Sequence, residues 1–218
     1  MIPETKKVFD FLCSEVFKGL PKFRTLFKSF KECSRDSTNN RYVVESETRA
    51  INFDKLTKRL YNRKNYPRSA DAVTFSDNTV FLIEFKAGDQ VVGIYSTRHL
   101  TSEVTEKING SDQTMYEKVF SKINSLNMNV LKLRFCLVVD AEAMGIYALV
   151  RTQAELASGE STEQNGKLAI LLKQVLPDLK AGIHNPEHYD ESEIWYSDVF
   201  ERYLEKYGIK DINAYETM

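Results

Sequence analysis

Hydrophobic residues recur at helical spacing over much of the chain. Near the N-terminus, apolar positions three and four residues apart predict two helices within residues 4–31, separated at Pro21. The polar segment SRDSTNN at 34–40 has the composition of a loop. The helical spacing returns in four later segments: 47–64, 112–126, 168–176 and 193–207. Helices are therefore expected near both termini and in two segments, 47–64 and 112–126, between them.

A shorter period marks the strands. Residues 69–75 alternate in polarity, SDN at 76–78 is typical of a tight turn, and 79–87 is rich in β-branched and aromatic residues, so a β-hairpin is predicted. LKLRFCLVVD at 131–140 predicts a buried strand, and residues 42–44 a short one. Because a helix lies between the hairpin and the strand at 131–140, the connection is a crossover. The predicted fold class is α/β, with a central mixed β-sheet flanked by helices.

One strand of the hairpin carries two opposite charges. In FLIEFKA, Glu84 and Lys86 stand two positions apart and therefore share a face with Val80 and Leu82. We expect the charges to begin where this strand leaves the core. The hairpin brings Asp71, on the preceding strand, beside them. The alternative interpretation is an exposed ion pair on an edge strand, with Asp71 capping a turn; exposed pairs of that kind stabilise a protein little.

Two carboxylates and a lysine at one point suit metal-assisted chemistry. Neighbouring carboxylates repel each other unless a cation lies between them, and oxygen ligands of this kind are typical of Mg²⁺ or Mn²⁺ sites. A nearby lysine can stabilise charge on a phosphoryl group or orient the attacking water. The group Asp71, Glu84 and Lys86 therefore indicates phosphodiester hydrolysis.

This spacing resembles the signature of the PD-(D/E)XK nuclease superfamily: Asp71, twelve intervening residues, then Glu84-Phe85-Lys86 on an apolar strand. The resemblance implies that Asp71 and Glu84 bind Mg²⁺ or Mn²⁺ and that Lys86 is the catalytic lysine. Many members add an upstream glutamate, and Glu47 lies at a separation similar to that in archaeal-type Holliday-junction resolvases. The alternatives for this third ligand are Glu45 and Glu15. The chain departs from the pattern at Ala70, where the family's proline would stand.

The resemblance also implies an architecture. It covers about residues 43–140, which would form a restriction-endonuclease-like core. The whole chain, 1–218, is then expected to be a single domain. Residues 1–40 would add an N-terminal helical segment and 141–218 a mostly helical C-terminal region.

Charge is unevenly distributed along the chain, although the net charge is only −1. Residues 1–68 contain 16 lysines and arginines against eight acidic residues, and the remainder has an acidic excess. A basic half can face a polyanion such as nucleic acid, with DNA expected ahead of RNA. Gln113, with Tyr116 nearby, could contact the nucleic acid from the helix that follows the hairpin. The basic residues expected to contact phosphates directly precede Asp71: Lys55, Lys58, Arg59, Arg63, Lys64 and Arg68.

Two other functions remain open, and two further enzyme classes are not indicated. A protein with this fold and no turnover would act as a nucleic-acid-binding or assembly module. An RNA endonuclease of the cap-snatching type usually has a metal-binding histidine upstream of the motif, whereas His99, His184 and His188 all follow it. No Gly-x-x-x-x-Gly-Lys-Ser/Thr loop and no Gly-x-Ser-x-Gly motif are present, so nothing indicates an ATPase or an acyl-transfer enzyme.

The surroundings of the protein are predicted from composition. No apolar run is long enough to span a bilayer, and the N-terminus has no signal segment, so no membrane association is expected. Three cysteines at no metal-ligand spacing favour a reducing cytoplasm. A homodimer is possible because many double-strand cutters pair two active sites.

Overall fold

The structure is a computed structural model that describes several ranges of the chain. The described residues are 3–14, 23–37, 40–62, 64–87, 94–140 and 191–216, with the backbone alone at 94–101, 191–192 and 216. The predicted helix at 168–176 lies outside these ranges. Within them, no helix combines the length and the apolar character that crossing a membrane requires.

The described chain has eight strands in two sheets. The strands are β1 (Phe27–Ser29), β2 (Arg35–Asp36), β3 (Arg41–Tyr42), β4 (Arg49–Asn52), β5 (Ala72–Ser76), β6 (Thr79–Lys86), β7 (Lys132–Val139) and β8 (Glu191–Tyr196). A six-stranded mixed sheet forms the centre, in the order β1-β4-β5-β6-β7-β8. Strands β1, β4, β5 and β6 pair antiparallel, whereas β6, β7 and β8 pair parallel. A small second sheet pairs β2 with β3.

Helices cover both faces of the sheet. The α-helices in the described part of the chain are α1 (Glu4–Ser14), α2 (Phe30–Cys33), α3 (Phe53–Leu60), α4 (Ile94–Thr114) and α5 (Phe200–Lys206). Residues of α1, α3 and α4 pack on one face, whereas residues of α2 and α5 pack on the other. Helix α4 is followed by a π-helical turn at Met115–Val119 and a 3₁₀ turn at Phe120–Lys122. The α/β class with a helix-flanked mixed sheet is thus confirmed.

The central strands are apolar on both faces, as strands covered on both sides should be. On β6, Val80 and Leu82 join the core under α1, α3 and α4, whereas Phe81, Ile83 and Phe85 join the opposite core. The predicted period-two division of this strand is therefore confirmed. Since β6 lies between β5 and β7, it is a central strand, which rules out the alternative that Glu84 and Lys86 form a pair on an edge strand.

The hairpin and the crossover are both confirmed. β5 and β6 pair antiparallel around a turn at Asp77 and Asn78, and Asp77 has a positive φ of 43° that aspartate tolerates in tight turns. From β6 the chain crosses through α4 to β7, which lies parallel to β6. The helix begins at Ile94 and not near residue 112, where the prediction placed it. Its N-terminal half has a weak apolar stripe, because polar residues interrupt it.

Two predicted helices begin as strands instead. In 47–64, β4 occupies Arg49–Asn52, and Asn52 then caps α3 by accepting a hydrogen bond from the amide of Lys55 at 2.9 Å. In 193–207, β8 extends to Tyr196 and the helix begins only at Phe200. Short apolar runs fit either period, and pairing with the growing sheet decides between them.

Both terminal segments contribute strands to the sheet in addition to helices. Among the described residues of the predicted helical stretch at 4–31, α1 and the start of α2 are α-helical, whereas Phe27–Ser29 is β1, an edge strand paired with β4. The described part of the C-terminal region supplies β8, whose Trp195 is fully buried. The sheet therefore extends beyond the predicted core at 43–140 in both directions.

The C-terminal half of α4 packs very closely on the segment that leads into β5. A side chain at Gly110 would place its Cβ 1.8 Å from the carbonyl oxygen of Arg68, so only glycine permits this contact. One residue further, Ser111 accepts a hydrogen bond from the amide of Ala70 at 2.8 Å. These two contacts hold α4 against the backbone immediately before Asp71.

Candidate active site

A polar cavity of about 320 Å³ lies between the end of β6 and the side of α4. Its third wall is the segment from Cys33 to Ser37, which follows α2. The charged side chains that line it come from the hairpin, from α4 and from this third wall: Asp71, Glu84, Lys86, Glu103, Lys107, Arg35 and Asp36. The predicted residues Asp71, Glu84 and Lys86 are therefore close together.

Asp71 is held by the hairpin itself. Its amide donates a hydrogen bond to the carbonyl of Ile83 at 3.0 Å, which continues the pairing of Ala72 with Ile83. Its carboxylate accepts a hydrogen bond from the amide of Phe85 through Oδ2 at 2.9 Å. One oxygen of Asp71 is thus bound by the neighbouring strand, and the other, Oδ1, lies on the Lys107 side.

Glu84 is fully buried, contrary to the expectation that its strand leaves the core there. Its exposed fraction is 0%, and its oxygen Oε2 has no hydrogen-bond partner among the described residues. Burial, together with the nearby charge of Asp71, raises the pKa of Glu84 to about 8, although Lys107 and Lys86 act in the opposite direction. A buried carboxylate with an unpaired oxygen is costly and calls for a proton or a further cation.

Lys86 links the strand to the helix. It is 8% exposed, and its ammonium lies 3.2 Å from Oε1 of Glu84 and 2.9 Å from Oε1 of Glu103 on α4. Burial tends to raise the pKa of Glu103, but Lys86, Lys107 and Arg68 together bring it below its usual value. Glu103 therefore remains a carboxylate and keeps Lys86 beside Glu84.

A second lysine reaches the two predicted metal ligands. The Nζ of Lys107 lies 2.6 Å from Oε1 of Glu84 and 3.3 Å from Oδ1 of Asp71. Burial would lower the pKa of Lys107, but the charges of Glu84 and Asp71 outweigh it and raise that pKa above its ordinary value. Lys107 is therefore a cation in contact with the carboxyl groups of both Asp71 and Glu84, and it reduces the repulsion between them when Glu84 is ionised.

The oxygens at this point fit a hard divalent cation. Asp71 and Glu84 offer carboxylate oxygens to one position, and Oε2 of Glu84 is buried without a partner in the described chain. Mg²⁺ typically takes one or two protein carboxylates and completes its shell with water and substrate phosphate. Among the described residues, no cluster of three or more histidine, cysteine, aspartate or glutamate side chains could hold a metal. Burial, together with the charge of Asp71, raises the pKa of nearby Cys33 to about 12, so its side chain is a neutral thiol in the metal-free protein.

Glu47 does not reach the cavity. It is exposed, lies before β4 rather than at the start of a helix, and is not among the residues that line the cavity. Glu45 is also exposed and pairs with Lys31 at 2.6 Å. Glu15 lies outside the described residues. Glu103 and Asp36 are the further acidic residues that line the cavity, and Glu103 contacts Lys86 directly.

Some of the residues predicted to contact nucleic acid are exposed, whereas others are bonded to neighbouring side chains. Lys55 and Lys64 are exposed, whereas Lys58 pairs with Asp54 at 2.6 Å and Arg59 donates to Thr25. Arg63 lies outside the described residues.

Arg68 connects the basic segment to the cavity. It is exposed and lies 3.7 Å from Glu103 and 3.1 Å from Glu106. The start of α3 is also close, because the amide of Phe53 donates to the carbonyl of Asp71 at 2.9 Å. Gln113 is exposed, does not line the cavity and donates to Glu117 at 3.2 Å. Arg68 therefore connects this basic segment to the cavity through Glu103, which lines it.

The prediction from sequence missed Lys107 and Glu103. They stand four positions apart on α4, a spacing that places them on one helix face. In the sequence this resembles an ordinary surface ion pair of a helix. The signal available in the sequence was the pair of small residues Gly110 and Ser111, at helical spacing from Lys107. In the structure, these two residues pack on the backbone before Asp71.

Comparisons of the chain with protein-family models, with curated proteins and with solved structures found no match. The superfamily resemblance therefore depends on the motif residues and on the geometry described above.

Proposed function

We propose that the protein is a divalent-metal-dependent nuclease of the PD-(D/E)XK type with a restriction-endonuclease-like core, and that it hydrolyses phosphodiester bonds in DNA. One observation carries the proposal: Asp71, Glu84 and Lys86 line a single cavity at the end of two central strands. Buried charges rarely stabilise a protein, because removing them from water costs about as much free energy as their pairing contributes. Their presence in the middle of a sheet favours a functional role.

Each residue has a role that its position supports. Asp71 and Glu84 would hold the metal, since their oxygens already face one cation. A bound Mg²⁺ or Mn²⁺ would lower the pKa of an attacking water and polarise the phosphoryl oxygen. Lys86, kept in place by Glu103 at 2.9 Å, would donate a hydrogen bond to the attacking water or to the phosphoryl group. Lys55, Lys64 and Arg68 would position the phosphate backbone.

The test is cleavage of a panel of plasmid, linear, single-stranded, branched and RNA substrates with Mg²⁺ or Mn²⁺. We expect cleavage of DNA, and a loss of at least about 100-fold in Lys86→Met, because a group that helps transfer a proton or neutralise charge typically contributes that much. Lys86→Met should keep its metal affinity in calorimetry within a few-fold. The control, Lys132→Met, alters an exposed lysine at the opposite end of the parallel strands and should cleave normally. Absence of both cleavage and metal binding would refute the proposal.

A second candidate function is a nucleic-acid-binding or assembly module without turnover. The observation that favours it is the position of Lys107, whose ammonium contacts both Asp71 and Glu84 without a metal. Tight DNA binding by the wild-type protein, with no hydrolysis in either metal, would identify this function. An RNA endonuclease would instead cleave the RNA substrates of the panel.

A further inference from the structure

The two predicted metal ligands already share one cation. Oδ2 of Asp71 accepts a hydrogen bond from the amide of Phe85, which leaves Oδ1 beside Lys107. Oε1 of Glu84 contacts Lys107 at 2.6 Å and Lys86 at 3.2 Å. Of the two lysines, only Lys107 is within 4.0 Å of both carboxylates, and it therefore occupies the position that a bridging metal would take.

Lys107 approaches from the opposite wall of the cavity. It belongs to α4, whereas both carboxylates belong to the hairpin. Its side chain is 15% exposed, so its charge is poorly screened by water. The attraction between Lys107 and the two carboxylates consequently joins the helix to the sheet across the cavity.

A third carboxylate lies near Lys107 on its own helix. Glu103, which also contacts Lys86, lies one turn earlier on the same face of α4, and its charge and that of Lys107 already interact. An ammonium that leaves Asp71 and Glu84 can therefore move towards Glu103, which lines the same cavity. The cavity of about 320 Å³ between these residues provides room for that movement.

We propose that Lys107 is a tethered counter-ion that competes with the divalent metal: it holds Asp71 and Glu84 together in the metal-free protein and must be displaced when a metal binds. This inference rests on the proposed metal site. It makes Lys107 a positioning residue that limits metal affinity, whereas Lys86 acts on the substrate.

The test is calorimetric titration of the full chain with Mn²⁺ in the wild type, in Lys107→Met and in Lys107→Arg, together with thermal unfolding of each with and without Mn²⁺. We expect Lys107→Met to bind Mn²⁺ about tenfold more tightly, since removing one competing charge at partly screened distances changes affinity by about that factor. Without metal, Lys107→Met should unfold at a lower temperature than the wild type, and Mn²⁺ should raise its unfolding temperature by more. Lys107→Arg, which keeps the charge, should bind with wild-type affinity.

The matched control is Lys7→Met, which removes a lysine that pairs with a carboxylate, Glu4, at 2.9 Å on α1, away from the cavity. It should leave Mn²⁺ affinity unchanged. Should Lys107→Met not fold without metal, Lys107→Gln provides a smaller neutral change with the same expectation. Equal or weaker Mn²⁺ binding in both neutral variants would overturn the role of Lys107.

The outcomes separate this inference from the proposed function. Cleavage by the wild type with unchanged affinity in Lys107→Met would overturn the inference alone. Binding of Mn²⁺ by Lys107→Met but not by the wild type would support the inference and overturn nuclease activity of the natural chain. Absence of binding in all variants would overturn both.

Discussion

At the scale of single residues, Glu84 carries a large electrostatic cost. Its side chain is fully buried on a central strand, and Oε2 has no partner among the described residues. Two lysines offset part of this cost at 2.6 and 3.2 Å. Because a neutral side chain of similar size would avoid the desolvation, the metal-free protein is less stable than its packing would otherwise allow.

The pH dependence of stability should report this cost. The pKa of Glu84 is about 8 in the folded protein and about 4.5 in the unfolded chain, so the folded state retains a proton that the unfolded chain releases. The stabilising contribution of Glu84 is therefore complete below pH 4.5 and is lost as pH rises towards 8. We expect the free energy of unfolding of the wild type to fall relative to that of Glu84→Gln across this window, measured by urea denaturation without metal.

Glu4 provides a control, because its pKa is shifted in the opposite direction to that of Glu84. Burial tends to raise its pKa, but the amide of Asn127 and the ammonium of Lys7 bring it below its usual value. Its stabilising contribution is therefore present above pH 4.5 and is lost only as pH falls below that. Glu4→Gln should show no trend against the wild type between pH 5 and 8. A flat difference for Glu84→Gln over the same range would contradict the proposed effect of its burial.

At the scale of secondary-structure elements, the position of α4 decides the geometry of the site. The helix supplies Lys107 and Glu103, and it is held by close contacts of Gly110 and Ser111 with the backbone before Asp71. The strand β6 and the helix therefore place their charges on opposite walls of one cavity. A small shift of α4 would separate them.

Gly110→Ala should weaken this contact. The new Cβ would lie 1.8 Å from the carbonyl oxygen of Arg68, so helix and segment must move apart. Overpacking of this kind costs about 3 kcal/mol, which exceeds the gain of about 1 kcal/mol from replacing glycine within a helix. We expect the free energy of unfolding to fall by about 2 kcal/mol, with weaker metal binding. Gln113→Ala, at an exposed position of the same helix, should change stability by less than about 0.5 kcal/mol. Unchanged stability in Gly110→Ala would show that α4 is not held there.

At the scale of the whole molecule, the basic residues that precede Asp71 begin within α3 and end at Arg68, beside the cavity. Arg68 lies 3.7 Å from Glu103, which lines the cavity. Lys58 and Arg68 form ion pairs with acidic side chains, whereas Lys55 and Lys64 are exposed. The latter two lysines should therefore contribute most to phosphate contacts.

A homodimer stays a prediction, which sedimentation of the full chain would test.

Replacing Lys55 and Lys64 should weaken DNA binding in a salt-dependent manner. Each lysine that neutralises a phosphate contributes about one unit to the slope of log affinity against log salt concentration. We expect Lys55→Ala with Lys64→Ala to reduce that slope by about 2, with little change in sequence preference. The measurement is fluorescence anisotropy of labelled DNA over a range of salt concentrations. Lys132→Ala, at the far end of the sheet, should keep the wild-type slope; an equal loss there would indicate non-specific attraction.

Local geometry allowed part of the site to be predicted from sequence. Period two on β6 places Glu84 and Lys86 on one face, and the hairpin turn fixes which residue of β5 lies opposite them. Both relations involve residues near each other in the chain. They depend on strand geometry and turn chemistry, which the sequence specifies directly. The α/β class followed in the same way from the order of strands and helix.

The remaining features were decided by tertiary structure. Lys107 and Glu103 joined the site because α4 docks against Arg68 and Ala70, a packing contact that helical periodicity does not encode. Burial of Glu84, which the sequence placed at the edge of the core, follows from the same docking. β1 and β8 became strands because the edges of the sheet offered unpaired hydrogen-bonding groups, and this long-range pairing overrode their helical spacing. The sequence by itself thus determined the hairpin and its three charged residues, whereas tertiary packing decided their environment and their partners.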